Sequence, residues 1–277
     1  NVLEKKSKDE HSEAFAEAIQ GINTVIIDEV HMAKADVLKR LLTGPFAHCG
    51  IRWGLTGTVP KAEYEFMGLK CSIGDVTHRI QASELQDKGV LANCHVNVLQ
   101  TQDHPMFKTY AEELKWLTTD KVRMAWVAKT IKDISTSGNT LILVDRISAG
   151  TILQEQLEGS VFVSGSTKNI DRKEQYDEVS TATNKIIIAT YGVASVGINI
   201  PRIFNLVLIE PGKSFVRVIQ SIGRGIRKAE DKENVQIWDI TSSCKFAKRH
   251  LGARKKFYKE ANYPYTIEKI NYENPYT

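Results

Sequence analysis

Lys185-Ile-Ile-Ile-Ala-Thr-Tyr-Gly-Val-Ala-Ser-Val-Gly-Ile-Asn-Ile-Pro201 is the stretch on which the fold turns. Ile186, Ile187, Ile188 and Ala189 form a short apolar run that ends at Thr190 and passes into a small-residue, glycine-containing segment. A run of that length between turn residues matches an inner strand of a parallel sheet, which is apolar on both faces. Ligands of such sheets bind beyond the carboxyl ends of the strands, where Thr190 falls. Downstream, Phe215, Val218, Ile219, Ile222 and Ile226 recur at i, i+3, i+4, i+7 and i+11, one apolar face of a helix. Gln220, Arg224 and Arg227 share another face. Two guanidiniums presented together suit a polyphosphate, because each offers a fixed fork of donors. Gly223 and Gly225 each weaken this helix by roughly 1 kcal/mol relative to Ala.

Outward from this stretch, strands and helices alternate. Thr140–Val144, Val161–Val163, the Ile186 run, Asn205–Ile209 and Val235–Ile240 read as strands, with helices over 106–117 and 121–135 ahead of them. That order predicts an α/β fold with a parallel sheet flanked by helices on both faces. Nearer the start, a polar surface helix over 1–20 leads to the strand Thr24–Ile27, which delivers Asp28 and Glu29 to its carboxyl end. Val37, Leu38, Leu41 and Leu42 mark a short helix stopped at Gly44-Pro45, and Ile51–Thr58 reads as a second strand with hydroxyls at its end. Residues 76–92 lead from there to the strand His95–Leu99. The polar residues after 100 mark the boundary, giving domains 1–102 and 103–277.

With 277 residues, 42% of them apolar, the chain can bury substantial cores as one or two domains. The net charge of +4 permits a polyanionic partner without demanding one. Cys49, Cys71, Cys94 and Cys244 are scattered, without a Cys-x-x-Cys pair, and read as reduced thiols rather than a zinc site or disulfide framework. No run approaches the roughly 18 apolar residues of a membrane span, and no secretory signal opens the chain, so a soluble cytoplasmic protein is expected.

Four segments together resemble superfamily-2 helicases. Thr190-x6-Gly197-x-Asn199 followed by Gln220-x-x-Gly-Arg224-x-x-Arg227 is similar to motifs V and VI of that family, Asp28-Glu29-Val30-His31 to its DExH motif II, and Leu55-Thr56-Gly57-Thr58 to motif III. The Asp-Glu-x-His form, the Gln-x-x-Gly-Arg form and the segment 85–94 look most like the phage UvsW group of DNA helicases. The resemblance implies two RecA-like lobes, the first incomplete, and an ATP-driven motor using Mg2+. Asp28 would hold the metal, mostly through water, and Glu29 would orient or deprotonate the attacking water. His31 would sense the nucleotide, and Thr56 and Thr58 would couple it to the nucleic-acid groove. Thr190 would grip a strand phosphate, Gly197 would let the backbone approach closely, and Asn199 stands where many relatives carry an Asp near the ribose. Gln220, Arg224 and Arg227 would meet the nucleotide, the two arginines as fingers on the γ-phosphate. Arg146 and Lys168 are candidate phosphate contacts, though each fits a solvated loop charge better. Taken without the others, Asp28-Glu29 also describes a strand ending in an acidic turn, and Thr56-Gly-Thr58 ordinary turn chemistry.

The implied activity is ATP-dependent DNA unwinding, fork regression or branch migration in recombination and repair, by a monomer acting on forked or branched DNA. The alternatives are a double-stranded DNA translocase subunit of a restriction or remodelling system, and a nucleotide-independent nucleic-acid-binding module. A phosphate-cradling Gly-x4-Gly-Lys-Ser/Thr loop is absent from the 277 residues. The simplest expectation is that the chain is the C-terminal part of a longer helicase and does not hydrolyse ATP alone. The segment from Cys244 to Ala261 is rich in Lys and Arg, with a thin apolar face at Ala247, Leu251, Tyr258 and Ala261. It reads either as a phosphate-binding helix or as the solubilising outer face of a packing helix.

Overall fold

The computed structural model describes residues 15, 17–32, 35–57, 59, 63–165, 182–197, 202–213 and 234–273. They fall into two compact units, Asn1–Arg79 and Ile80–Thr277.

In the first unit, β1 (Thr24–Ile27) is followed by a 3-10 turn (Val30–Met32), α1 (Ala35–Thr43), β2 (Ile51–Gly54) and α2 (Glu63–Ile73). β1 and β2 pair in parallel, with Ile26 opposite Trp53 and Ile27 opposite Gly54. Side chains alternate across a strand, so Val25 and Ile27 point one way and pack on Val30, Leu38 and Leu42. Leu38 and Leu42 stand four apart on α1, the spacing that lays both on one face. The opposite face of the pair carries Ile26, Ile51 and Trp53, all exposed.

The second unit runs α3 (Ala82–Asp87), β3 (Asn93–Thr101), α4 (Tyr110–Thr119), α5 (Lys121–Ser135), β4 (Thr140–Val144), α6 (Ile147–Gln156), β5 (Val161–Val163), β6 (Ile186–Thr190), α7 (Tyr191–Gly197), β7 (Asn205–Ile209), β8 (Asn234–Ser242), α8 (Lys245–Glu260) and β9 (Tyr265–Ile270). Seven strands form one sheet in the order β5-β6-β4-β7-β8-β3-β9, and every pairing is parallel. The predicted two-sided burial is present residue by residue. Leu141, Leu143, Ile187, Ala189, Leu206 and Leu208 face a core completed by Leu251 and Tyr258 of α8. Ile142, Val144, Ile186, Ile188, Val207 and Ile209 face the other, built with Met124, Val127 and Ile131 of α5 and Leu153 of α6. Helix starts follow local chemistry. Thr109 and Glu112 form a reciprocal capping box on α4, and the Asp120 carboxylate accepts the Arg123 N–H at 2.9 Å to start α5. No helix among the described residues is long and apolar enough to cross a membrane.

Two features differ from the sequence-based expectation. The boundary expected at 102/103 falls between Arg79 and Ile80, because β3 is an inner strand of the second sheet, paired with β8 along Asn93–Thr101 and with β9 along Val96–Thr101. Its polar alternation (Asn93, His95, Asn97) resembles a connecting segment, yet those side chains find cross-strand partners: the Asn97 amide donates to Gln236 Oε1 at 2.9 Å. The second is β9 itself, a mostly exposed edge strand whose residues the sequence reading left unassigned to a sheet.

Candidate functional site

β1 delivers Asp28 and Glu29 into a tight turn at its carboxyl end. Asp28 is exposed, and its Oδ1 accepts the Glu29 N–H at 2.8 Å. Glu29 has a left-handed backbone, φ 48°, which costs a non-glycine residue on the order of 1 kcal/mol or more and concentrates at functional sites. The turn is fixed to the end of β2. Leu55 N–H donates to Ile27 O at 2.8 Å, and Val30 N–H donates to Leu55 O at 3.0 Å. These bonds bring His31 to Thr56, with Nδ1 2.6 Å from the Thr56 hydroxyl and 3.3 Å from Glu29 Oε2. The tautomer sets whether Nδ1 donates to the hydroxyl or accepts from it. One imidazole thus joins the acidic pair to a hydroxyl twenty-five residues away. Among the described residues, His31 Nε2 is buried without a hydrogen-bond partner, and Glu29 Oε2 has only the His31 contact; an orphaned polar atom in a polar site calls for a ligand, ion or water.

The second unit places its candidates along the carboxyl edge of its sheet. Val144 and Thr190 are register partners, so the ends of β4 and β6 lie side by side. Thr190 is half-buried, and its hydroxyl accepts the Val193 N–H at 3.4 Å, starting α7, which ends at Gly197. Arg146 precedes α6 at the same edge, half-buried, with Nη2 donating to Ala111 O of α4 at 3.5 Å. Thr58, Lys168, Asn199, Gln220, Arg224 and Arg227 lie outside the described residues.

Sequence reading missed a buried ionic network next to this edge. Arg123 of α5 is fully buried and donates through Nη2 to Glu210 Oε1 at 2.8 Å and through Nη1 to Leu117 O. Its Nε lies 3.5 Å from Asp103 Oδ2, an oxygen that also accepts from the hydroxyls of Thr101 and Ser242 at 2.6 Å each. Burial pushes the Asp103 carboxyl up, but Arg123 and the hydroxyl donors outweigh it and hold the group below its ordinary value. Glu210, at the carboxyl end of β7 with φ 42°, is dominated by burial and pushed up to about 7 against the pull of Arg123 and Arg254. A second pair sits beside it. Arg254 donates to both oxygens of Asp239 at 2.8 and 2.9 Å and to Gly212 O at 2.7 Å, tying α8 and β8 to the turn after β7. The sequence reading placed Arg254 among the exposed basic residues, whereas it is fully buried. The signal was available, since Ala247, Leu251, Arg254 and Tyr258 share the inward spacing of α8.

An Asp-Glu turn bridged by histidine to a strand-end hydroxyl, and a seven-stranded parallel sheet with a hydroxyl-capped helix at its carboxyl edge, define a class. Residues 123–229 match the model of the helicase conserved C-terminal domain. That match covers part of the second unit, whose parallel sheet has the RecA-like fold of solved helicases.

In sequence the chain is similar to the ATP-dependent DNA helicase UvsW of enterobacteria phage T4, 26% identical over 266 residues, which are 88% of this chain and 53% of that protein. The T4 UvsW crystal structure matches with a TM-score of 0.56 at 21% identity, covering 94% of this chain and 57% of that one. The Mycobacterium smegmatis helicase Lhr, solved with single-stranded DNA and AMP-PNP, matches with a TM-score of 0.60 at 15% identity, covering 91% of this chain and 33% of that one. The chain spans about half the length of the curated relatives it matches, 53% and 45%.

Proposed function

We propose that the chain is the motif II-to-VI portion of an ATP-dependent DNA helicase that remodels forked or branched DNA. The observation that carries this reading is the His31 bridge, 2.6 Å from Thr56 and 3.3 Å from Glu29, with His31 Nε2 buried and unmatched among the described residues. An unmatched polar atom beside an acidic turn suits a ligand. Asp28 suits Mg2+, being an exposed carboxylate with hard oxygen ligands and room for the waters that Mg2+ retains. When bound, Mg2+ neutralises charge on the nucleotide phosphates. Glu29 orients the attacking water, and His31 passes the state of Glu29 to Thr56. Thr190 and Arg146 hold the strand at the carboxyl edge of the second unit. Arg224 and Arg227 are the candidate arginine fingers on the γ-phosphate.

The DNA substrate is carried over from UvsW, an ATP-dependent DNA helicase; the fork-directed role and the recombination and repair setting rest on the resemblance of the four motifs. The chain alone does not hydrolyse ATP on this reading, because its 277 residues hold no Gly-x4-Gly-Lys-Ser/Thr loop to cradle the β- and γ-phosphates. The test is ATPase activity with and without forked DNA, on this chain and on a longer protein that includes such a loop. Hydrolysis by the longer protein alone, stimulated by DNA, is the expected result. Turnover by the 277-residue chain, or none by either, overturns the reading.

A further inference from the structure

The exposed face of α8 has no role in the site described above. Of its sixteen residues seven are Lys or Arg and one, Glu260, is acidic. The helix sorts them. Arg254 turns inward to Asp239, while Lys245, Lys248, Arg249, Lys256 and Lys259 are exposed and Lys255 is half-buried. The five exposed positions fall at i, i+3, i+4, i+11 and i+14, a single stripe along one side, with exposed Gly252 at i+7. At 1.5 Å per residue it runs for about 21 Å.

A face that served only solubility would mix signs and gain favourable i,i+4 pairs. Here Lys245 and Arg249, and Lys255 and Lys259, stand four apart with like charge, which costs each pair a few tenths of a kcal/mol, and only Lys256 has an opposite charge at that spacing, Glu260 at the far end. The Glu113 carboxylate at the start of the helix does not neutralise the stripe. Buried Glu113 accepts the N–H groups of Phe246 and Ala247 at 3.0 and 2.7 Å, so it caps the helix terminus. Lys245 and Arg249 both lie against the Phe246 ring, at 5.5 and 5.3 Å, which holds the first and third cations in place. Exposed Lys213 adds its charge beside His250 on the same helix.

We propose that Lys245, Lys248, Arg249, Lys256 and Lys259 form a track that binds the sugar–phosphate backbone of duplex nucleic acid, distinct from the strand contact at Thr190. Charge complementarity selects a polyanion, and the helicase reading, on which this rests, makes that polyanion a nucleic acid. A duplex fits better than a single strand. Single-strand grooves interleave cations with exposed aromatic stacking platforms, and the aromatics of α8 are half-buried or buried: Phe246, Phe257 and Tyr258. A straight row of about 21 Å covers about six base steps of a rigid duplex, at 3.4 Å per step along a strand. α8 begins two residues after β8 ends. The track therefore starts at the carboxyl edge that carries Thr190 and leads away from it, holding duplex beyond the gripped strand.

The test is fluorescence anisotropy with a labelled DNA duplex and the matching single strand, on the full chain, across about 50 to 200 mM KCl. The variant K245Q/K248Q/R249Q/K256Q/K259Q changes exposed side chains only, and an unshifted thermal transition shows that it folds. It should bind duplex at least tenfold more weakly at the low-salt end. The slope of log affinity against log salt should become shallower by about 0.9 for each phosphate that the variant no longer neutralises. The control K121Q/K129Q/K132Q removes charge from exposed positions of α5 on the other side of the sheet, and should change neither quantity. Unchanged duplex affinity and slope in the α8 variant overturn the proposal. So do an equal loss in the control, a loss confined to the single strand, or a wild-type chain that binds no duplex. The motor reading is judged separately: DNA-stimulated hydrolysis in the longer protein stands or falls whatever the α8 slope shows.

Discussion

Glu210 is the residue whose environment departs furthest from what its type prefers: a carboxylate at the end of an inner strand, left-handed at φ 42°, with Thr241 donating to Oε2 at 3.1 Å and Arg123 to Oε1 at 2.8 Å. Burial lifts its carboxyl from 4.5 to about 7. The folded state therefore keeps a proton that the unfolded chain has released. The stability this group contributes is present below about 4.5 and is lost as pH rises through about 7. His250 acts in the opposite direction. Burial, with Arg254, Arg249 and Lys213 nearby, lowers it from 6.5 to about 4, so its contribution grows as pH rises between those values. Comparing Glu210→Gln with the unaltered chain at each pH removes His250 from the difference. Relative to the unaltered chain, the Gln variant should gain on the order of 1–3 kcal/mol between pH 5 and pH 8, because a tenfold change in a proton-binding constant is about 1.4 kcal/mol. Urea unfolding at the two pH values measures it, and a difference that stays flat would place the carboxylate in its ordinary range.

At the scale of elements, α6 lies so close to β5 that only a glycine fits between them. A Cβ at Gly150 would enter the Phe162 ring, so Gly150→Ala must push the ring aside or lift the helix. Ala is the better helix former by roughly 1 kcal/mol, and overpacking costs about 1–3 kcal/mol. The half-buried ring can tilt, so the net expectation is a loss of about 1 kcal/mol, read as a lower urea midpoint at unchanged slope. Gly150→Ala combined with Phe162→Leu should recover most of that loss relative to Phe162→Leu alone. The same elements show what was legible beforehand. β4, β6 and β7 announce themselves because strands buried on both faces are apolar at nearly every position, and Thr190 follows as the residue that ends such a run. β3 reads as a strand over His95–Leu99 but not as part of the second sheet, and β9, at the edge, does not read as a strand at all; parallel pairing between segments far apart in sequence leaves no local trace. The His31–Thr56 contact was implied only as two separate motifs. The Arg123–Glu210–Asp103 network left no pattern at all, since a buried charge is paired by tertiary packing and not by sequence spacing.

For the whole molecule, the two units differ in how much holds each together. The first rests on Val30, Leu38 and Leu42 with half-buried neighbours, around two strands of four residues, and leaves Ile26, Ile51, Trp53 and Leu55 exposed. The second has a core on each face of a seven-stranded sheet, and its inner strands β4 and β7 are buried at every position. Burying apolar surface is worth roughly 25 cal/mol per Å2, so the unit with the smaller core opens at a lower free energy, and amide exchange reports that opening directly. Amides of β1 and β2 should exchange well before those of β4, β6 and β7 at the same pH. Urea should release the first unit ahead of the second, so that exchange in β1 reaches completion while β7 remains protected. Trp53→Lys separates this account from one in which the exposed face stabilises the chain. Trp53 is 60% exposed and opposite Ile26, also 60% exposed. Its replacement should therefore leave the first unit's midpoint within about 0.5 kcal/mol, as surface changes do. A drop of several times that size would mean that the Ile26–Trp53 face is covered in solution, and the self-association of the chain would then be the quantity to measure against concentration.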